Sequence, residues 1–540
     1  MSSDTFEADS INKESHSFHF IPQFSSRDTD YQLNPQKFSP FLHFLPDVNG
    51  LVNAIKERSN HPVNRNVLVK VLRDQYEDLT LSDKQEFNIQ QLKRETTFTV
   101  STAHQPCLFT GPAYYIYKIF SAIRLAEELK ARHSNYHFIP VFVNGSEDHD
   151  FEEVNSTKLF QKQIIWEEEK IGPVGRYDIG SLKKPLNDFL SVLGDGEKAL
   201  EIAKILNEAY EKSQTYNDFV LHFLHVLTRD YGLLVLNMDN KELKKLFIPI
   251  MEKEIVERKS EGYVVETQKK LQQLGYKPQA HAREINLFYF TEEGGRERIT
   301  FQNNIFHILN TNIHWNEKEI LEQLNKFPEN FSPNVVTRPL YQSLILPDVA
   351  FVGGGGEIAY WIERKEQFNY FNVFYPCLIR RNSVLLVPKN VSKTMTKLGL
   401  TVSDFFQDED KMIHDYVQKN DKKHGTFDEE KKKILDSWNN LKQHMVQYDP
   451  TLLAFMEAEK VKIEKIIDHA DQKLIKVLKQ TQETKINQIK SIRDKLFPNN
   501  GLQERTENFF QYYLTTDYDL LERLKENLNP LNKDMVVLIL

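Results

Sequence analysis

Four short strand-like runs, β-branched, aromatic or apolar, constrain this chain more than any other feature. They are Thr97-Phe98-Thr99-Val100-Ser101, Phe138 to Val143, Leu233-Leu234-Val235-Leu236 and Val349-Ala350-Phe351-Val352, each bounded by segments that read as helix. Strands alternating with helices build parallel sheets. Each run also ends in polar or glycine residues: His104-Gln105, Glu147-Asp148-His149-Asp150, Asn237-Met238-Asp239 and Gly353-Gly354-Gly355-Gly356-Glu357. In open α/β sheets, ligands sit beyond the carboxyl ends of the strands, near helix N-termini. The expected fold is therefore α/β, a Rossmann-like parallel-sheet core with a catalytic crevice shared by several strand ends.

At 540 residues the chain is too long for one small domain. Residues 1–384 are expected to form the core, with a helical segment at the N-terminus and connecting insertions at about 158–215 and 260–335. Residues 1 to about 30 look flexible. Residues 385–498 lack strand signals, and 499–540 are expected to return to the core. Asp449-Pro450 reads as an N-cap followed by a proline in the first turn. It starts a charged helix, taken as continuous over 450–497, in which Ile463, Ile467, Ala470, Leu474, Val477 and Thr481 alternate steps of four and three. That is a heptad seam, so a coiled coil and a homodimer are expected. The seam weakens between Thr481 and Ile486.

A formal net charge of -8 argues against a nucleic-acid surface as the global design. Two cysteines, Cys107 and Cys377, cannot build a disulfide framework. No apolar run is long enough to span a membrane, and the polar start MSSDTFEADS lacks signal-peptide character. A cytoplasmic protein is expected.

Several motifs carry chemistry. His104-Gln105 with Thr110-Gly111-Pro112 reads as a cradle for phosphate or carboxylate, or as a histidine that merely caps a turn. No Gly-Lys-Ser/Thr follows, so it is not a P-loop. Glu147-Asp148-His149-Asp150 suits proton transfer or amine binding, or else a solvated acidic helix start. No further ligands stand at zinc spacing, so no metal site is assigned. The glycines before Glu357-Ile358-Ala359-Tyr360-Trp361 allow close backbone approach to a ligand, unless they form a plain loop. Arg338, near Tyr341 and Gln342, offers either a carboxylate clamp or an inter-domain salt bridge. Cys107 reads as a buried filler more readily than as a nucleophile.

The segments AHQPCLFTGPAYYIYK, VFVNGSEDHDFEEVN, GPVGR, FSPNVVTRPLYQSLILPDVAFVGGGGEIAYW, RNS and LFPNNGLQER occur in an order and spacing that resembles the bacillithiol biosynthesis cysteine-adding enzymes, the BshC family. The chain departs from the family pattern at Ala103 and His104, where glycine and glutamine are common. The resemblance implies a core similar to class I aminoacyl-tRNA synthetases and nucleotidyltransferases, and a dimerising coiled coil. It also implies a ligase that joins cysteine to glucosaminyl-malate with ATP or another adenine nucleotide activating the carboxylate; a magnesium requirement stays open.

By the same resemblance, His104, Asp148 and His149 are catalytic candidates. Gln105, Thr110, Gly111, Lys118, Glu147, Asn155, Arg338, Tyr341, Gln342, Gly354, Gly355, Glu357, Tyr360 and Trp361 are substrate-binding candidates. A second, nucleotide-like pocket where the long helix returns to the core is expected to hold Arg381, Asn382, Ser383, Lys490, Gln503 and Arg505. Two other readings stay open at this point: a synthetase-like ligase or nucleotidyltransferase acting on another amine, and a non-catalytic coiled-coil dimer that binds a nucleotide.

Overall fold

The structure, a computed structural model, describes residues 12–420 and 424–540. Its centre is a five-stranded sheet of β1 (Thr97–His104), β2 (His137–Asn144), β3 (Leu234–Asn237), β4 (Asp348–Gly353) and β5 (Cys377–Arg380). All neighbours pair in parallel, in the spatial order β5-β4-β1-β2-β3. The four strands expected from sequence are present. β5, whose apolar part is only Cys377-Leu378-Ile379, is additional.

Strand order reverses between β1 and β4, which makes their carboxyl ends the switch point where such sheets open a crevice. Register aligns the polar strand ends into one row. His104 faces Asn144, Asn144 faces Asn237, and Gly353 faces Arg380. Buried strands need apolar residues on both faces, and β2 supplies them from Phe138 through Val143. Helix α1 (Tyr114–Arg132) follows β1 and buries Ile116, Ile119, Phe120 and Ile123 against the core. Helices α2 (Arg338–Ile345) and α3 (Gly355–Trp361) flank β4.

Both connections expected as insertions carry their own elements. The first holds a hairpin, Ser156–Leu159 with Lys162–Ile165, before three helices lead to β3. The second holds a five-stranded antiparallel sheet in which Leu287–Phe290 and Arg296–Gln302 turn through Glu292-Glu293-Gly294-Gly295. The N-terminal stretch, expected to be flexible to about residue 30, holds in its described part a strand at Asn12–Ser17 and a helix at Ser26–Leu33. Strand Asn12–Ser17 pairs with Asp534–Ile539, which also pairs with Val384–Val387.

Beyond the core run α4 (His424–Tyr448), α5 (Leu453–Thr481) and α6 (Glu483–Leu496). Asp449 caps the turn before α5 by accepting from the Thr451 N–H at 2.9 Å, with Pro450 at the first position. The expected continuous helix over 450–497 is corrected to two: Gln482, at φ -111° and ψ 19°, leaves helical geometry where the apolar seam weakens. Helices α4 and α5 form a hairpin, held by Lys442–Glu457 and Lys431–Asp468 ion pairs and by the Trp438 indole donating to the Met456 carbonyl. No helix among the described residues is long and apolar enough to cross a membrane.

Candidate active site

A cleft of about 1280 Å³ opens over the carboxyl ends of β1, β2, β4 and β5 and is walled on one side by the second insertion. His104 ends β1 on its floor. Its Nδ1 lies 3.1 Å from the Gln105 carbonyl, which can only accept, so Nδ1 carries the proton. Nε2 then accepts from the Tyr114 hydroxyl at 3.0 Å. Burial, aided by the Lys118 ammonium, pushes the His104 imidazole down to about 4, so it is neutral near pH 7. Lys118 is itself occupied, donating to the Ala103 carbonyl at 2.7 Å and pairing with Glu357 at 2.5 Å. Burial lowers Lys118; burial would raise Glu357, but Lys118 and the other groups around it, the Gly354 N–H among them, together hold that carboxyl below its usual value.

The end of β2 supplies the acidic side. Asp148 Oδ1 accepts the His149 N–H at 2.8 Å, and Oδ2 accepts from Gln105 Nε2 at 2.9 Å. The same Gln105 nitrogen donates to Glu153 at 3.0 Å, tying two carboxylates together at the cleft. Glu147 points inward instead, 2.5 Å from the buried Lys244 and accepting from Ser332, and burial pushes its carboxyl upward. His149 Nδ1 sits 2.9 Å from Nη1 of Arg296. A guanidinium always donates, so Nδ1 accepts and the neutral imidazole carries its proton on Nε2. Burial, then Arg296, keeps His149 below its ordinary pKa.

On the β4 side, Gly354, Gly355, Gly356 and Glu357 line the cleft with Arg338 and Tyr360. The Glu357 carboxylate accepts the Gly354 N–H at 2.9 Å, closing the first turn of α3 on itself. Gly355 has a protein partner rather than a ligand as its reason: an added Cβ would stand 2.4 Å from the carboxyl carbon of Asp28. Arg381, after β5, pairs bidentately with Glu504 at 2.8 and 3.0 Å, while its buried Nε has no partner. Arg505 lines the same cleft.

Several sequence candidates lie off the cleft. Thr110 and Gly111, both at positive φ, shape the turn into α1, and the Gly111 carbonyl is held by Asn508. Asn155 caps a four-residue helix, Tyr341 donates to the Met238 carbonyl and Trp361 stacks on Phe351. Gln342 is buried behind Arg338. The proposed nucleotide set does not converge on one pocket. Arg381 and Arg505 belong to the main cleft. Asn382 donates to the Asn529 carbonyl, Ser383 to Glu504, and Gln503 brackets the Leu386 backbone. Lys490 stands on α6, half exposed, 3.8 Å from Glu409.

A second cavity, of about 1120 Å³, does lie where α6 returns to the core, but none of those six residues lines it. Cys107 is buried, and its thiol is pushed up to about 12 by that burial, which removes nucleophilic character at neutral pH. Sequence reasoning missed Tyr114 and Arg296. Tyr114 was legible, ten residues after His104 in the same motif; Arg296 carried no local signal. Among the described residues no group of three or more His, Cys, Asp or Glu could hold a metal ion.

Residues 17–382 match a family model described as bacillithiol biosynthesis BshC, N-terminal Rossmann-like domain, and residues 384–540 match its C-terminal coiled-coil domain. Curated relatives are provisionally named cysteine ligase BshC. One from Cytophaga hutchinsonii is 37% identical over 508 residues, 94% of this chain and 95% of its own. Others from Flavobacterium johnsoniae and Bacillus anthracis are 34% and 27% identical, over 95% and 92% of this chain and 97% and 95% of theirs. A solved structure from Campylobacter jejuni, described as an arginyl-tRNA synthetase, covers 79% of this chain and 99% of its own at 10% identity; its TM-score of 0.18 carries no argument.

Proposed function

The chain belongs to the BshC family of bacillithiol biosynthesis, and on that premise we propose that it is a ligase joining the cysteine carboxyl to the amine of glucosaminyl-malate. The observation that carries this reading is a cleft with two chemically opposed sides at the switch point. Asp148 and Glu153, tied by Gln105, suit an amine; Arg338 and Arg505, with the one unpaired N–H of Arg381, suit anions.

In this mechanism the amine enters against the β2 end. Asp148 attracts it as an ammonium and takes a proton from it, and the freed lone pair attacks the acyl carbon; as the amide bond forms, the bond between that carbon and the oxygen of the activating group breaks and the group leaves with the electron pair. His149 has its Nδ1 engaged by Arg296 and its Nε2 already protonated, so it donates a hydrogen bond rather than acting as the base. His104, with both ring nitrogens engaged, fixes the Tyr114 hydroxyl, whose oxygen keeps a lone pair for a donor on the substrate.

An amide does not form spontaneously from a free carboxylate in water, and a bound adenine nucleotide would supply the driving force that makes the cysteine carboxyl a better acyl donor. The orphaned, buried Nε of Arg381, beside Gly354, fits a phosphate or carboxylate oxygen, and Arg505 stands on the same wall.

The hairpin is proposed to dimerise. Phe455, Ile466 and Val477 are 55, 69 and 54% exposed. Eleven-residue steps return to the same helix face, so these three form one stripe. From the seam expected by sequence, Ile467 is already buried within the single chain.

Incubating the purified protein with L-cysteine, glucosaminyl-malate and ATP, with mass-spectrometric detection of bacillithiol, tests the function. Product that depends on all three supports it. No product, together with unchanged thiols in cells lacking the protein, sinks it.

A further inference from the structure

Arg338 differs from the other anchored cations of the cleft. Lys118 is neutralised by Glu357 and Arg381 by Glu504. Arg296 has Asp148 at 3.8 Å. Arg338 is also fixed at two nitrogens, but by neutral groups: Nη1 donates to Gln342 Oε1 at 2.9 Å and Nη2 to the Tyr360 hydroxyl at 2.7 Å. Among the described residues no carboxylate forms an ion pair with it, so the salt bridge that its sequence context allowed is not made.

The orientation of Gln342 is determined from behind. Its Nε2 donates to Ser101 Oγ at 2.9 Å and to Asp348 Oδ2 at 3.3 Å. Asp348 opens β4 in the sheet interior, and also accepts from Ser101 at 2.6 Å and from Thr99. An ionised carboxylate can only accept, so it turns the amide nitrogen toward itself and leaves the amide oxygen facing Arg338. Burial pushes the Asp348 carboxyl up to about 6, which leaves it mostly ionised at neutral pH. Gln342, Ser101 and Asp348 are fully buried, whereas Arg338 and Tyr360 line the cleft.

We propose that Arg338 is the receptor for a substrate carboxylate and that Asp348, Ser101 and Gln342 are positioning residues that hold its guanidinium without cancelling its charge. A carboxylate partner in place of Gln342 would fix the guanidinium equally well but would fill its anion site. The neutral amide relays the anchoring and keeps the charge open. The inference rests on the ligase reading for its substrates, which offer two sources of the carboxylate, cysteine and the malyl group.

The test is steady-state kinetics with each substrate varied in turn. Arg338→Met is expected to raise the KM for one of them on the order of 10- to 100-fold, the scale of one charge-assisted hydrogen-bonded contact; which substrate responds names the source. Gln342→Glu keeps an acceptor for Arg338 but adds a negative charge, and should raise the same KM while kcat changes less. Tyr360→Phe, at the cleft surface, gives a smaller rise in that KM and serves if a Gln342 variant does not fold. Unchanged KM for both substrates in Arg338→Met overturns the proposal. If the wild-type protein makes no product, the ligase reading falls first. Calorimetry with L-malate and L-cysteine then decides Arg338 alone: affinity lost in Arg338→Met keeps the inference, and affinity unchanged, or no binding to the wild type, ends it.

Discussion

The sheet core and the α4–α5 hairpin use the same ion pairs to different ends. Arg381–Glu504 in the core and Lys431–Asp468 on the hairpin are both 2.8 Å apart. The core pair is 2% exposed on each side, whereas the hairpin residues are 34 and 57% exposed. Distance therefore says little about what a pair contributes. Buried, each charge has been stripped of water and depends on its partner. At the surface, water and salt replace the partner at almost no cost. Apolar residues invert the pattern: the core hides them, while the hairpin leaves Phe455, Ile466 and Val477 in solvent. The core's charges fix a site, whereas on the hairpin the apolar stripe, and not the exposed pairs, is the feature on which the proposed association rests.

The sharpest way to break this contrast is Glu504→Ala. It leaves the Arg381 guanidinium, the Ser383 hydroxyl and the Val384 N–H without their shared acceptor. Removing one partner of a buried pair costs about 3–5 kcal/mol. Denaturant unfolding should register that loss, and a change no larger than that of a surface pair would refute the distinction.

His104 sharpens the comparison through pH. Its folded pKa of about 4 is below the ordinary 6.5. Between those values the unfolded chain binds the proton and the folded chain does not, so stability is fully present above pH 6.5 and falls as pH drops toward 4. The shift corresponds to about 3 kcal/mol. His104→Gln should flatten that part of the pH–stability curve relative to wild type while product formation persists. Identical curves for the two proteins would contradict the partly buried, neutral imidazole.

At the β2 end, Asp148→Asn should lower kcat/KM on the order of 100-fold, about 2.7 kcal/mol, within the range for a general base. His149→Ala should cost roughly tenfold, because that ring has no free site for a proton. Thermal melting should change little in either variant, since both side chains are partly exposed. A larger loss in His149→Ala than in Asp148→Asn would reverse the assignment.

Much of the core was legible because strand ends mark themselves. An apolar run stopping at His104, Asp148 or Gly353 signals both a strand and its functional edge, and register then lines those edges up. β5 went unseen because its apolar part is only Cys377-Leu378-Ile379, directly after Pro376, too short a run to read as a strand. The motif around Glu357 blurred two roles. Successive helix residues are about 100° apart, so Tyr360 reaches the cleft while its neighbour Trp361 packs inside. Arg296 and Asp28 act across separations of 147 and 352 residues, to His149 and Arg380, which no local pattern encodes. Asp28 lay in a stretch whose polar composition suggested flexibility; its partner in the core is what orders it.

On the hairpin, stripe and pairs should separate, and the smallest expected effect of all belongs to the pairs. Ile466→Asp with Val477→Asp should leave the core folded, because neither side chain is buried in the single chain. If the stripe meets a second copy, each apolar side chain contributes on the order of 1.5–3 kcal/mol to the association, and light scattering should report monomers in place of dimers. Lys442→Ala, which removes the 2.6 Å pair with Glu457, should shift stability by less than about 1 kcal/mol and leave the dimer intact. Raising the salt concentration should mimic the lysine variant and not the aspartate pair, since screening weakens exposed charges while apolar burial persists. A hairpin that comes apart in high salt, or a wild-type protein that is monomeric at micromolar concentration, would mean that surface charge, and not the stripe, governs this half of the molecule.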